Sequence, residues 1–339
     1  MIQEQINSLL LEGEFPEVST ERQLIETHIS WVFICHRFVY KIKKPIKYSF
    51  LDFSTLEKRK KYCEREIELN KRLTTGIYLD VVPVNKLNDH YKIGGKAGTV
   101  IEYAVRMFKM DRTKQMDRLL LQKKVTKSDI QNLAKKIARF HENTVIIPQK
   151  DVLDIQEKFN DLEAEKKYLK AQPNGDKYAS IIANAVKTSN TFLEKNKELL
   201  AERLRAGFFR DCHGDLHSRN IFLLPSPQPF DCIEFNDDYR QIDVLNEVAF
   251  LCMDLYAFGE KDLSELFMEY YNEFFPSMKS SEEHHLFVFY KAYRANVRAK
   301  VNSLRAKSAV NENARTKALF EVDKYLRLME SYLKTLSLI

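Results

Sequence analysis

The stretch of this 339-residue chain with the most evident chemistry is His213-Gly214-Asp215-Leu216-His217-Ser218-Arg219-Asn220. The spacing of His213, Asp215 and Asn220 is H-x-D-x-x-x-x-N, a layout in which the aspartate orients or accepts a hydroxyl proton and the asparagine gives an oxygen to a metal ion. Phosphoryl transfer asks little covalent chemistry of a protein. It needs a carboxylate beside the nucleophile and oxygen ligands for magnesium. The pattern therefore makes His213 and Asp215 candidate catalytic-loop residues and Asn220 a candidate metal ligand. A polar turn whose Asp and Asn bond nearby backbone is the other reading of the same residues.

Phosphates need a cation upstream, and RFVYKIKK (37–44) offers Lys41 and Lys43 on one face, because strand side chains repeat every two residues. Solubilising surface lysines are the alternative. Later in the chain, Tyr290, Arg294 and Arg298 recur every four positions and share one helix face. Such a stripe suits an anionic substrate; a solvated basic face, or partners for carboxylates on neighbouring helices, would look the same.

The elements that must position these residues change character near residue 110. Before it, HISWVFICH (28–36), RFVYKIKK (37–44), YLDVVPV (78–84) and GTVIEYAVRMF (98–108) read as strands, interrupted by one capped helix over 54–73. The N-terminal MIQEQINSLLLEGEF reads as a short amphipathic helix rather than a signal peptide. From Asp129 onward helical spacing dominates, except at 210–235, where apolar stretches bracket HGDLHSRN and the turn PSPQP as a hairpin would. The expected fold class is α+β and bilobal: a small sheet lobe with one helix over 1–108 and a larger helical lobe over 109–339, with a ligand cleft between them.

Bulk composition narrows the classes of function. With 54 basic and 48 acidic side chains, the net charge of +6 falls short of a nucleic-acid-binding face but suits an anionic small substrate. The five cysteines contain no C-x-x-C pair, so no disulfide framework or zinc site is indicated, and a reducing cytoplasm is the expected compartment. The apolar run Val248 to Phe258 is too short to cross a bilayer, so no membrane partner is expected.

HGDLHSRNIF, followed by an acidic apolar stretch, resembles the signature of the aminoglycoside phosphotransferase family, relatives of choline and fructosamine kinases. More closely, SWVFICHRFVYKIKKPIKYSFLDFSTLEKRKKYCEREIELNKRL, IEYAVRMFKM, DCIEFNDDYRQIDVLNEVAFLCMDL and YKAYRANVRAKV resemble a bacterial group labelled aminoglycoside phosphotransferase-like. In many of its members a P-loop ATPase half follows. With no G-x-x-x-x-G-K-[ST], this chain resembles a stand-alone form.

The resemblance implies a protein-kinase-like fold, ATP and magnesium as cofactors, and a small-molecule hydroxyl as acceptor. It implies Lys41 as the phosphate-binding lysine with Glu66 as its partner (Glu64 being second choice), Met107 facing the adenine from a hinge over 102–110, and Glu234 in Phe230-Asp231-Cys232-Ile233-Glu234-Phe235 as the metal carboxylate. Asp231 and Asp237 are the alternatives to Glu234. It also implies bracing roles for Asp243 and His141 and a phosphate-covering hairpin near 30–37. Two other classes share such a site: a nucleotide-binding pseudokinase, and a protein kinase or nucleotidyl transferase. The missing G-x-G-x-x-G and A-P-E segments weigh against a protein kinase. Aminoglycosides are polycations and call for a carboxylate-lined site, so the basic stripe favours a sugar, an amino alcohol or a phosphorylated metabolite as the acceptor.

Overall fold

The computed structural model describes residues 1–17, 21–48, 51–88 and 90–337. In chain order the elements are α1 (Gln3–Glu12), β1 (Gln23–Glu26), β2 (Ser30–Ile34), β3 (Phe38–Lys43), β4 (Lys47–Tyr48), β5 (Leu51–Asp52), α2 (Leu56–Lys71), β6 (Tyr78–Leu87), β7 (His90–Ile93) and β8 (Thr99–Phe108). There follow α3 (Met116–Leu121), α4 (Lys127–Asn143), α5 (Asp154–Asn160), α6 (Lys166–Lys170), α7 (Gly175–Lys195), α8 (Lys197–Arg205), β9 (Phe209–Asp211), β10 (Ile221–Phe222), β11 (Gln228–Pro229) and β12 (Gln241–Asp243). Among the described residues the last helices are α9 (Val244–Ala257), α10 (Lys261–Phe274), α11 (Ser281–Lys307) and α12 (Glu312–Ser337). The fold is α+β, and the chain forms two compact units.

The first unit comprises Met1–Arg118 and Asn220–Arg240, so the segment from Asn220 onward packs with the N-terminal sheet. Its antiparallel sheet has the order β1-β2-β3-β8-β6-β7. The two-residue period of β3 divides the faces. Tyr40 and Ile42 enter a core with Trp31, Phe33, Val84 and Ile93, completed by Ile6 and Leu9 of α1. Lys41 and Lys43 point the other way, toward the face where Cys63 and Ile67 of α2 meet Tyr78 and Val105. Thr55 caps α2 by accepting from the Lys58 N–H, and a buried Arg59–Glu102 ion pair of 2.9 Å fastens the helix to β8.

The second unit comprises Leu119–Arg219 and Gln241–Ile339 and is mostly helical. Helix α4 begins with a capping box between Thr126 and Asp129 and buries Ile130, Leu133, Ala134, Ile137, Ala138 and His141, a helical stripe. Every residue of α9 from Val244 to Leu255 is buried, which explains the long apolar run: it is a core helix. Among the described residues no helix is long and apolar enough to cross a membrane. Helix α11 starts at a Ser280–Glu283 capping box and packs on α9 and α12.

The region 210–235 differs from the expected single hairpin. β10 and β11 do pair, with β11 formed by the last two residues of PSPQP, but β9 pairs antiparallel with β12. FDCIEF forms no strand: Asp231 has φ +62°, and this left-handed residue breaks any extended run.

Candidate active site

In the second unit, the loop that carries Asp215 has its backbone donors tied down one by one. The Glu247 carboxylate, from the first turn of α9, accepts the N–H of His213 at 2.7 Å and of Gly214 at 3.0 Å. The His213 ring accepts the Asp215 N–H at 3.2 Å, Asp254 accepts the N–H and hydroxyl of Ser218, and the His217 ring accepts the Arg219 N–H. Gly214 sits at φ +89°, a conformation that costs glycine nothing and a side-chain-bearing residue strain. A loop with its donors satisfied this way holds its side chains still.

The side chain it presents is Asp215. Its carboxylate is partly exposed and lies 3.4 Å from His217 Nε2. Burial pushes its pKa up, but His217, then Arg298 and His213, outweigh that and hold it well below the usual carboxylate range. The group is thus an ionised hydrogen-bond acceptor at neutral pH. Glu247 behaves oppositely: burial outweighs Arg294 and the two N–H donors and lifts its pKa to about 7.

In the first unit the two lysines of β3 meet three carboxylates. Lys41 Nζ lies 2.9 Å from Glu66 Oε1 and 2.7 Å from Asp231 Oδ1. Lys43 Nζ lies 2.7 Å from Glu66 Oε2 and pairs with Glu234. Burial favours protonation of Glu66, yet the two lysines outweigh it and lower its pKa to about 2. In Glu234 burial, assisted by the negative charge of Glu66, prevails over Lys43 and raises the pKa. Glu64, the second choice for Lys41's partner, instead pairs with Lys60 on the helix surface.

The oxygen donors near this network suit a hard cation such as magnesium. The Phe230 N–H bonds to the Asn220 carbonyl at 2.9 Å, which draws Asn220 alongside the segment carrying Asp231 and Glu234. The carboxylates differ in access: Asp231 is 45% exposed, whereas Glu234 is buried behind Lys43. Asp237 binds Arg65 and Arg240. An exposed oxygen can reach a metal–phosphate group without surrendering a buried lysine, so Asp231 fits at least as well as Glu234.

Met107 is half-buried on β8, between Val39 and Tyr78 in register, and packs against the core of Cys63, Ile67, Ile77, Tyr78 and Val105 on the α2 face. Asp243 caps α9, binds Arg203 through both carboxylate oxygens, at 2.6 and 2.9 Å, and receives the Tyr290 hydroxyl at 3.3 Å; it is a brace. His141 is buried 2.7 Å from the Tyr271 hydroxyl. The Tyr290–Arg294–Arg298 stripe is buried rather than a solvated face. Arg294 bonds to Asn246 at 2.7 Å and to the Gly214 carbonyl at 3.1 Å. Sequence reasoning missed Glu247, Tyr78 (whose hydroxyl receives the Asp231 N–H) and the Lys43–Glu234 pair; the i, i+2 spacing of the lysines was the one available signal.

No family model matches the sequence. Uncharacterized proteins of Mycobacterium tuberculosis and Mycobacterium bovis are 32% identical over 294 residues, which is 83% of this chain and 54% of theirs, so the chain spans about half the length of the curated relatives it matches. Among solved structures, a choline/ethanolamine kinase family protein from Mesorhizobium loti superposes with a TM-score of 0.51 at 12% identity, covering 98% of this chain and 100% of that one. An ethanolamine kinase of Plasmodium vivax gives 0.50 at 12% identity, covering 91% and 83%. A Ralstonia eutropha protein classed among the aminoglycoside phosphotransferases gives 0.50 at 10% identity, covering 98% of each chain.

Proposed function

From the premise that the chain has the kinase-like fold of the aminoglycoside phosphotransferase and choline/ethanolamine kinase structures, we propose that it is an ATP- and magnesium-dependent phosphotransferase acting on a hydroxyl of a small molecule. The observation that carries this reading is Asp215: an ionised, partly exposed carboxylate on a loop whose backbone is fixed by Glu247 and Asp254. Such a group accepts a hydrogen bond from an acceptor hydroxyl and orients its oxygen for attack.

Lys41, held by Glu66, supplies the positive charge for the nucleotide phosphates, and Met107 offers an apolar contact for the base. Asn220, Asp231 and Glu234 would hold the metal. Magnesium, when bound, neutralises charge on the phosphates being transferred. The compartment is proposed to be the cytoplasm, in keeping with five free cysteines. An ATP-coupled screen of hydroxyl metabolites, amino alcohols and aminoglycosides tests the proposal. Transfer that persists unchanged in Asp215→Ala sinks it.

One observation favours a second reading, a nucleotide-binding regulator without transfer: Glu234 is buried and committed to Lys43. Detectable Asp215-dependent turnover of any acceptor eliminates that reading.

A further inference from the structure

We infer that the acceptor already carries an anionic group, a phosphate or carboxylate, seated against Arg298 and Arg305 beside Asp215. The inference rests on the phosphotransferase reading and adds the substrate class to it. Arg294, Arg298 and Arg305 stand four and then seven residues apart on α11, and so lie on one helix face. Arg294 anchors that face to the loop through the Gly214 carbonyl. One turn on, Arg298 is 5% exposed, within electrostatic reach of Asp215 and Asp254, and bonded to the neutral Tyr325 hydroxyl. Two turns further, exposed Arg305 makes a long 3.5 Å contact with Asn302 and lies within reach of Arg298, Arg219 and Asp215.

Apart from Asp215, the carboxylates around these guanidinium groups face other partners. Asp254 accepts from Ser218, Glu247 accepts from the loop backbone, and Glu321 faces Lys324 at 3.8 Å. Arg298 Nε and Arg294 Nη2 are buried without a hydrogen-bond partner. A buried guanidinium N–H left unbonded is costly, and a second anion supplied by substrate satisfies it. The planar fork of arginine matches phosphate and carboxylate geometry. A polycationic aminoglycoside would meet this face unfavourably.

The test pairs acceptors that differ by one anionic group, glucose with glucose 6-phosphate and glycerol with glycerol 3-phosphate and glycerate, with kanamycin as the cationic control. It also measures inorganic phosphate binding by calorimetry in a Lys41→Gln background, which removes binding at the nucleotide lysine. The anionic member of a pair is expected to have the higher kcat/KM, by about tenfold or more, and Arg305→Gln to raise its KM by about tenfold with kcat unchanged. Phosphate binding should weaken in Arg305→Gln and Arg298→Lys, and tighten in Asp215→Asn, which removes a repelling charge; an arginine serving only the fold would show neither response. Preference for neutral or cationic acceptors, or phosphate binding indifferent to both arginine variants, overturns the inference while leaving phosphotransfer standing. ATP turnover unchanged in Asp215→Asn strikes instead at the underlying reading, whichever way the phosphate titrations fall.

Discussion

Lys43 Nζ and Glu66 Oε2 lie 2.7 Å apart in the interior of the first unit, on the oxygen of Glu66 that Lys41 leaves over. One glutamate of α2 thus gathers two strand lysines, and each lysine goes on to a second carboxylate, Lys41 to Asp231 and Lys43 to Glu234. The two lysines differ in exposure, which separates their roles.

Lys43 is wholly buried, so Lys43→Met strands Glu234 in the interior and leaves Glu66 with Lys41 alone. Removing one partner of a buried pair costs about 3–5 kcal/mol. Lys43→Met should therefore show a large loss of stability in urea denaturation. Lys41, 12% exposed, should show the reverse balance: Lys41→Met weakens ATP use more than it weakens the fold. Equal stability losses in both variants would refute this division.

Much of this network was legible in the sequence, and the reasons for the misses are physical. The i, i+2 spacing of Lys41 and Lys43 marks one face of a strand, and the helical spacing of α2 puts Glu66 on its buried side. Asp231 as Lys41's partner was not legible, because it depends on a left-handed residue that breaks an otherwise strand-like FDCIEF. Nor could the four-residue period of Tyr290, Arg294 and Arg298 reveal which way the helix faces. A charged stripe is buried when neutral acceptors from distant segments reach it, here Asn246 and the Gly214 carbonyl. The β9–β12 pairing was missed for a similar reason: adjacency in sequence favours a local hairpin, whereas β9 finds its partner some thirty residues away.

Glu247 makes stability depend on pH. Its folded pKa of about 7 lies above the ordinary 4.5, so the protonated form is favoured by folding. The associated stability is fully present below about pH 4.5 and is lost as pH rises toward 7, on the order of 3 kcal/mol in all. Glu247→Gln keeps one acceptor oxygen for the two loop N–H groups and removes the ionisation. Denaturation of both proteins from pH 4.5 to 8 should show the wild type losing ground to the variant through that window; parallel curves would contradict it.

Asp215 carries the opposite sign. Burial opposes its ionisation, but His217, Arg298 and His213 depress the pKa, so the stability linked to its charge is present above about pH 4 and lost as pH falls below it. Phosphoryl transfer should accordingly show no acid limb from Asp215 between pH 5 and 8. Asp215→Asn should lower kcat by about 10²–10⁴. A rate that halves near pH 6 and tracks this residue in the variant would show its carboxylate to be protonated more easily than the geometry allows.

The accessible carboxylate and the buried one make separable predictions for metal dependence. Asp231 is 45% exposed and its pairing with Lys41 is partly solvated, so Asp231→Asn replaces the proposed charged ligand by a neutral amide with little cost to the fold, since partly exposed ion pairs contribute about 0–1 kcal/mol. Glu234 is 3% exposed and compensates Lys43, so Glu234→Gln leaves an under-paired cation inside and destabilises the unit. Titrating magnesium into the coupled assay should therefore show Asp231→Asn requiring about tenfold more metal at unchanged urea midpoint, while Glu234→Gln lowers the midpoint. If Glu234→Gln instead shifts only the magnesium requirement, the buried carboxylate is the metal ligand and Lys43 must give it up when metal arrives.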